Sequence, residues 1–189
     1  MATLIKHTTQ KLKNEDYNII FSTFMHCMYY PISIHKDDCK ENHYKKLETE
    51  LLNEKNATLV LLGRYPLYIE NMYFDNKEGG LEKEGKIFDK NKKFLNQYSE
   101  IEKNTMFNFK QLLKNNHKII LIYPIPEVGW DVPTKLYSKI PKNLKNIENY
   151  LVKENFITTS YEVFKKRNEG SFKFLDKFQD KNIKRIYPH

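Results

Sequence analysis

Two short stretches place polar and aromatic side chains directly behind strongly apolar runs, and these are the first places to look for chemistry. In one, Leu61-Leu62 is followed at once by Gly63, Arg64, Tyr65, Pro66, Leu67 and Tyr68. In the other, Lys118–Ile122 runs into Tyr123-Pro124-Ile125-Pro126-Glu127-Val128-Gly129-Trp130-Asp131-Val132-Pro133. A guanidinium donates N–H groups from a planar fork, so Arg64, with Tyr65 and Tyr68 beside it, is a candidate ligand contact where a strand ends. Trp130 is the aromatic candidate of the second stretch. Each residue also has a plainer reading: Arg64 as a loop arginine paired with one of the protein's own carboxylates, Trp130 as a packing residue in a proline-braced loop. The sequence leaves both open. Cys27 and Cys39 lie twelve positions apart. A zinc site would need CxxC or HxxxH spacing, which is absent, so free thiols and a disulfide stand level.

No nucleophile signature accompanies these stretches. The chain has no GxSxG elbow, no glycine-rich phosphate loop and no HExxH. Neither a metal nor a cofactor is expected. On motifs alone this is not a complete enzyme.

The elements that must position Arg64 and Trp130 follow from the apolar pattern. Asn18–Phe24, Ala57–Gly63, Lys118–Tyr123 and Ile183–Tyr187 read as strands. The second and third are apolar at nearly every position, as in strands covered on both faces by helices, which favours a parallel sheet. Polar segments of helical spacing lie between them, at Thr3–Asn14, Asn42–Glu54, Leu95–Asn116, Asn143–Asn155 and Phe172–Asp180. Tyr44, Leu47, Leu51 and Leu52 fall on one face of the second of these. The pattern predicts one three-layer α/β/α domain on a parallel sheet, flavodoxin-like, with right-handed crossovers. Ligands of such sheets bind at the carboxyl edge of the strands, where both polar stretches fall. Tyr73–Asn91 and Pro124–Pro141 read as surface loops.

Composition narrows the partners. The 189 residues carry a formal net charge of +8, which invites a nucleic-acid reading. Against it, only Arg64, Arg167 and Arg185 are arginines and the other 29 basic residues are lysines, a mixture that AT-rich coding produces without selection for a ligand. Nucleic acid is not an expected partner. No run approaches the roughly 20 apolar residues of a membrane-spanning helix.

With these residues in view, the sequence resembles the SGNH-like domain (GDSL-type) attached to bacterial membrane O-acyltransferases that modify lipopolysaccharide or other surface glycans. The run Ile125–Pro133 is the most specific match, being similar to that family's loop after a strand. Gly63-Arg64-Tyr65 resembles its small-Arg-aromatic motif, which stands where ordinary SGNH hydrolases carry an oxyanion-hole asparagine. Cys27 and Cys39 match its paired cysteines, and Tyr161 with Arg167-Asn168 a later helical motif. The resemblance covers essentially the whole chain. It implies acyl transfer, with acetyl the expected group, from an acyl donor to a surface glycan. It further implies a membrane acyltransferase domain as partner, a location on the periplasmic side of the bacterial inner membrane, and a Cys27–Cys39 disulfide.

The family's Gly-Asp-Ser-His and Asp-x-x-His motifs are not found in the chain. The expectation is therefore a domain incomplete at both ends, lacking its first strand and inactive by itself. Arg64 would remain as the oxyanion or substrate candidate, with Gly63, Tyr65 and Trp130 along the substrate edge. The alternative expectation is a non-catalytic glycan-binding module that uses Arg64, Tyr65, Tyr68 and Trp130; a lysine-rich nucleic-acid binder is the remote third.

Overall fold

A computed structural model describes residues 19–20, 42–77, 80–82, 94–128, 131–139 and 159–188. Cys27, Cys39, Gly129 and Trp130 lie outside the described residues, as do the helices expected at Thr3–Asn14 and Asn143–Asn155. Of the strand expected at Asn18–Phe24, only Ile19 and Ile20 are described; they are not in a strand, and Ile20 is exposed.

Three strands form the sheet, β1 (Thr58–Leu62), β2 (Lys118–Ile122) and β3 (Ile183–Ile186), in that order and all parallel. Thr58 pairs with Lys118 through to Leu62 with Ile122, and Ile119 with Ile183 through to Ile122 with Ile186. Helix α1 (Asn42–Asn53) leads into β1, the short α2 (Tyr65–Ile69) and the long α3 (Phe94–Lys114) lie between β1 and β2, and α4 (Val132–Lys139) and α5 (Tyr161–Leu175) lie between β2 and β3. This is the expected parallel α/β arrangement.

Strand alternation decides what is buried. Leu59 and Leu61 of β1, Ile119 and Leu121 of β2 and Ile183 of β3 point to one face. There they meet Ile101, Phe109 and Leu112 of α3, Phe174 and Leu175 of α5, and Tyr65, Tyr68 and Ile69 of α2, with Leu47 and Leu51 of α1 at the margin. The aromatic contacts are edge-on or tilted, as ring quadrupoles favour: Phe109 lies 4.7 Å and Phe174 5.1 Å from Phe178. On the other face Val60 and Leu62 are 58% and 57% exposed. The continuous apolar run in β1 predicts cover on both faces; among the described residues the packed core lies on the face of Leu59 and Leu61.

Three helices depart from expectation. α5 starts eleven residues before the segment predicted from Phe172. It begins at Ser160, whose hydroxyl accepts a hydrogen bond from the Val163 N–H at 3.3 Å, and carries Glu162 in its first turn and Lys173 in its last, which suits the helix dipole. α4 occupies part of the stretch expected to be a proline-containing connection. Asp131 Oδ1 accepts from the Thr134 N–H at 2.7 Å, and Pro133 falls in the first turn, where a missing N–H costs nothing. α2 follows the same rule with Pro66.

The amino edge of the sheet is fastened by a pair of matched turns. Asn56 and Asn116, which precede β1 and β2, both adopt left-handed backbone with φ of 62° and 60°, a conformation asparagine tolerates. The Asn116 side-chain amide donates to Asn56 Oδ1, and Asn115 Nδ2 donates to the Leu52 carbonyl at 2.7 Å. Between them lies fully buried His117. The Ala57 N–H donates to its Nδ1 at 3.0 Å, so Nε2 carries the proton and donates to the Leu51 carbonyl at 2.7 Å. One imidazole thus joins α1, β1 and β2. His117→Ala is expected to cost about 1–3 kcal/mol in urea denaturation, because it orphans a part-buried N–H and a carbonyl; unchanged stability would show that the bridge carries nothing.

α5 docks on α2 through Glu70. Its Oε1 accepts from the Ser171 N–H at 3.2 Å, and the carboxylate occupies the space that a Cβ on Gly170 would need. Burial raises the Glu70 carboxyl above the usual 4.5, while the Ser171 N–H and Arg167 pull the other way. A raised carboxyl favours the fold below pH 4.5, and that contribution is lost as pH rises through the folded value. Glu70→Gln, which keeps the acceptor, should therefore gain stability relative to wild type as pH is raised from 4 to 7, measured by thermal unfolding. A constant difference across that range would contradict this.

Candidate functional site at the carboxyl edge

β1 ends at Leu62, and the next two residues deliver Gly63 and Arg64 to the carboxyl edge before α2 begins. β2 ends beside it and extends through Tyr123-Pro124-Ile125-Pro126 to Glu127. The third contributor is a tight excursion after α2, in which Asp75 and Leu81 form an antiparallel bridge and Asn76 Oδ1 accepts from the Gly80 N–H at 2.7 Å. This turn sets Glu82 opposite Arg64, with the Glu82 N–H bonded to the Phe74 carbonyl at 2.9 Å. The fourth is α5, which supplies Arg167.

These parts make a continuous ionic array. Arg64 Nη1 and Nη2 donate to the two oxygens of Glu82 at 2.7 and 2.6 Å, a parallel bidentate pair. Arg64 Nε donates to Glu127 Oε1. The other Glu127 oxygen accepts from Arg167 Nε at 3.1 Å. Arg167 Nη2 reaches the Met72 carbonyl at 2.8 Å, and its guanidinium lies 5.6 Å from the centre of the buried Phe74 ring. The two halves differ in exposure. The Glu127 and Arg167 side chains are 11% and 7% exposed, whereas Arg64 and Glu82 are 38% and 33% exposed.

The charges hold one another. The Glu82 hydrogen bonds foremost, with the field and hydrogen bond of Glu127, raise the Arg64 guanidinium beyond its already high value against the opposing effect of burial. Arg64 in turn holds the Glu82 carboxyl below its usual range. The plainer reading of Arg64 is the one the structure displays: at the carboxyl edge of the sheet it is paired with two carboxylates of the protein.

The aromatic candidates fare differently. Tyr65 is wholly buried, its hydroxyl 3.4 Å from the Leu61 carbonyl, and burial drives that hydroxyl's proton affinity up. Tyr68 is buried as well. Neither ring is open to a ligand, so the expected stacking edge loses both: the first residues of α2 face the sheet because Tyr65, Tyr68 and Ile69 share one helical side. Gly63 is half-buried at the start of the loop. Glu82, Glu127 and Arg167 complete the array; Glu127 lies in the marked stretch behind β2 and Arg167 in the helical motif that the resemblance picks out, whereas Glu82 sits in a lysine- and glycine-rich segment without a signal.

The third arginine is engaged elsewhere. Arg185 Nε donates to the Tyr123 hydroxyl at 3.1 Å and Nη2 to the Phe178 carbonyl at 2.7 Å, while Tyr123 donates to Asp176 Oδ1 at 2.6 Å. This cluster fastens the end of α5 to β2 and β3. Among the described residues no group of three histidine, cysteine or acidic side chains could hold a metal ion, and no helix is long and apolar enough to cross a membrane.

A parallel sheet with helices between its strands, and with polar loops at the carboxyl edge of adjacent strands, defines an α/β domain of the open-sheet class. The chain matches the family model described as the SGNH domain (fused to AT3 domains) over residues 1–189, and it belongs to that family. No curated protein and no solved structure matches it.

The unequal burial predicts unequal mutational costs. Glu127→Gln leaves two guanidiniums facing each other and should cost about 2–3 kcal/mol. Glu82→Gln breaks a screened pair and should cost less than about 1 kcal/mol. Because Glu82 titrates below the usual 4.5, its share is complete above that pH and disappears as pH falls through the lowered value. Urea denaturation at pH 7 and at pH 3 checks both statements, and equal costs for the two variants would refute the division.

Proposed function

We propose that this domain serves in the transfer of an acyl group, acetyl in the first instance, to a surface glycan such as lipopolysaccharide, next to a membrane acyltransferase domain on the periplasmic side of a bacterial inner membrane. Membership in a family described as fused to AT3 domains supports the reaction class. The observation that carries the site assignment is Arg64, delivered to the carboxyl edge immediately behind β1 with its Nε fixed by a buried carboxylate.

Acyl transfer requires an activated hydroxyl, a base to accept its proton, and donors for the oxyanion that forms as the carbonyl is attacked. Arg64 suits the third role. A fixed cation beside a partly dry carbonyl stabilises the developing charge by a few kcal/mol, and its planar fork also orients the ester before attack. The 189 residues contain neither Gly-Asp-Ser-His nor Asp-x-x-His. The chain by itself is accordingly assigned the positioning of the acyl or sugar group, not turnover.

The test is genetic and chemical. Deletion of the locus encoding this chain should remove base-labile O-acetyl esters from the cell-surface glycan, measured by proton NMR before and after mild alkali, and Arg64→Ala should reproduce most of the loss. Unchanged ester content in the deletion would refute the reading. The purified chain should hydrolyse p-nitrophenyl acetate no faster than its Arg64→Ala variant.

A further inference from the structure

Arg64 uses its donors in two directions. Nε is fixed inward by Glu127, which is itself held by Arg167, so the guanidinium plane is set by buried groups. Nη1 and Nη2 then face outward together and meet one planar carboxylate, that of Glu82, in a parallel pair. Among the described residues, the carboxylate of Glu82 is held apart from Arg64 by one backbone donor, the Phe74 N–H at 3.2 Å. The inner triad of Arg64, Glu127 and Arg167 carries a formal charge of +1 without Glu82, so its outward face favours an anion at that place. This pair is more exposed than that of Glu127 with Arg167 and is screened more by solvent and salt, which makes Glu82 the more exchangeable of the two carboxylates.

We propose that the outward Nη1/Nη2 face of Arg64 is a carboxylate-recognition site, filled in this structure by Glu82 as an internal ligand, and that it takes the carboxylate of an acidic sugar when Glu82 withdraws. The inference rests on the glycan reading above and narrows it to glycans bearing uronic-acid-type units. Glu127 is the positioning residue: it aims the fork and does not touch the ligand. A neutral sugar hydroxyl cannot replace a two-oxygen acceptor matched to a planar fork, which gives the site its selectivity.

The experiment titrates the full chain at low salt with glucuronate and, in parallel, glucose, following binding by NMR. Glu82→Gln should bind glucuronate about tenfold or more tightly than wild type, since it no longer competes as an anion, with no change for glucose. Adding Arg64→Lys to that variant should abolish the gain. In the wild-type chain, where folding of a variant is not at issue, saturating glucuronate should move the titration midpoint of the Glu82 carboxyl up towards that of a free glutamate, because its guanidinium partner is lost. Glucuronate binding that leaves the Glu82 midpoint unmoved, or a gain that survives Arg64→Lys, would overturn the assignment. Equal binding of both sugars would overturn it too while leaving the glycan reading intact, and binding of neither would count against both.

Discussion

The carboxylate of Glu127 is the constraint on which the site is built. It accepts from the Nε of two arginines that arrive from different parts of the fold, one behind β1 and one from α5, and it comes itself from the loop behind β2. A single buried anion therefore fixes three segments relative to one another. Its side chain is only 11% exposed, which tightens the requirement, since without it the largely buried Arg167 would face a neighbour of like charge. The Arg167 plane is further held by the Met72 carbonyl and the Phe74 ring, so the excursion that carries Glu82 is attached to the same anchor. Orientation at the carboxyl edge is thus a property of the whole array.

The opposite edge of the sheet is held by different means. His117 and the Asn56–Asn116 pair use neutral hydrogen bonds to join α1, β1 and β2, where burial would make a charge costly. Between the two edges, among the described residues, lies a core of leucine, isoleucine and aromatic rings on the face of Leu59 and Leu61. The division of labour follows from the parallel sheet: strands that all run the same way send every strand-to-helix loop to one edge and every helix-to-strand turn to the other.

How much of this could be read in advance depended on the kind of signal involved. β1, β2, β3, α1 and α3 were legible because local periodicity and burial agree there, and their observed bounds lie within two residues of those expected. The start of α5 was not, because Tyr161, Glu162, Lys165 and Lys166 leave its first turns mostly polar, and the N-cap at Ser160 was the only local cue. Tyr65 was placed in a ligand edge because aromatic residues after a strand suggest one. The turn of α2 that rotates it into the core is a tertiary outcome. Arg64 stands out by its position behind a strand and by the small-Arg-aromatic resemblance, but its ion pairs do not: Glu82 is 18 residues away and Glu127 is 63, and pairs at that separation leave no periodicity to detect.

The left-handed positions bear on how this chain can change by mutation. Among the described non-glycine residues, positive φ occurs at Asn56, Asn71, Lys77 and Asn116, three of them asparagine, in a chain that has only six glycines. Glycine codons begin with two guanines, whereas asparagine is written AAT or AAC. A coding sequence drifting towards adenine and thymine can therefore keep its helix-to-strand turns by spelling them with asparagine, the residue after glycine that best tolerates that backbone. From AAT or AAC, single-base changes lead to aspartate, histidine, serine, threonine, isoleucine, tyrosine or lysine. Of these, aspartate alone combines tolerance of the turn with a short side chain able to accept the Asn116 amide at position 56. The geometry of two small turns thus narrows the evolutionary exits open to this gene at the foot of its sheet.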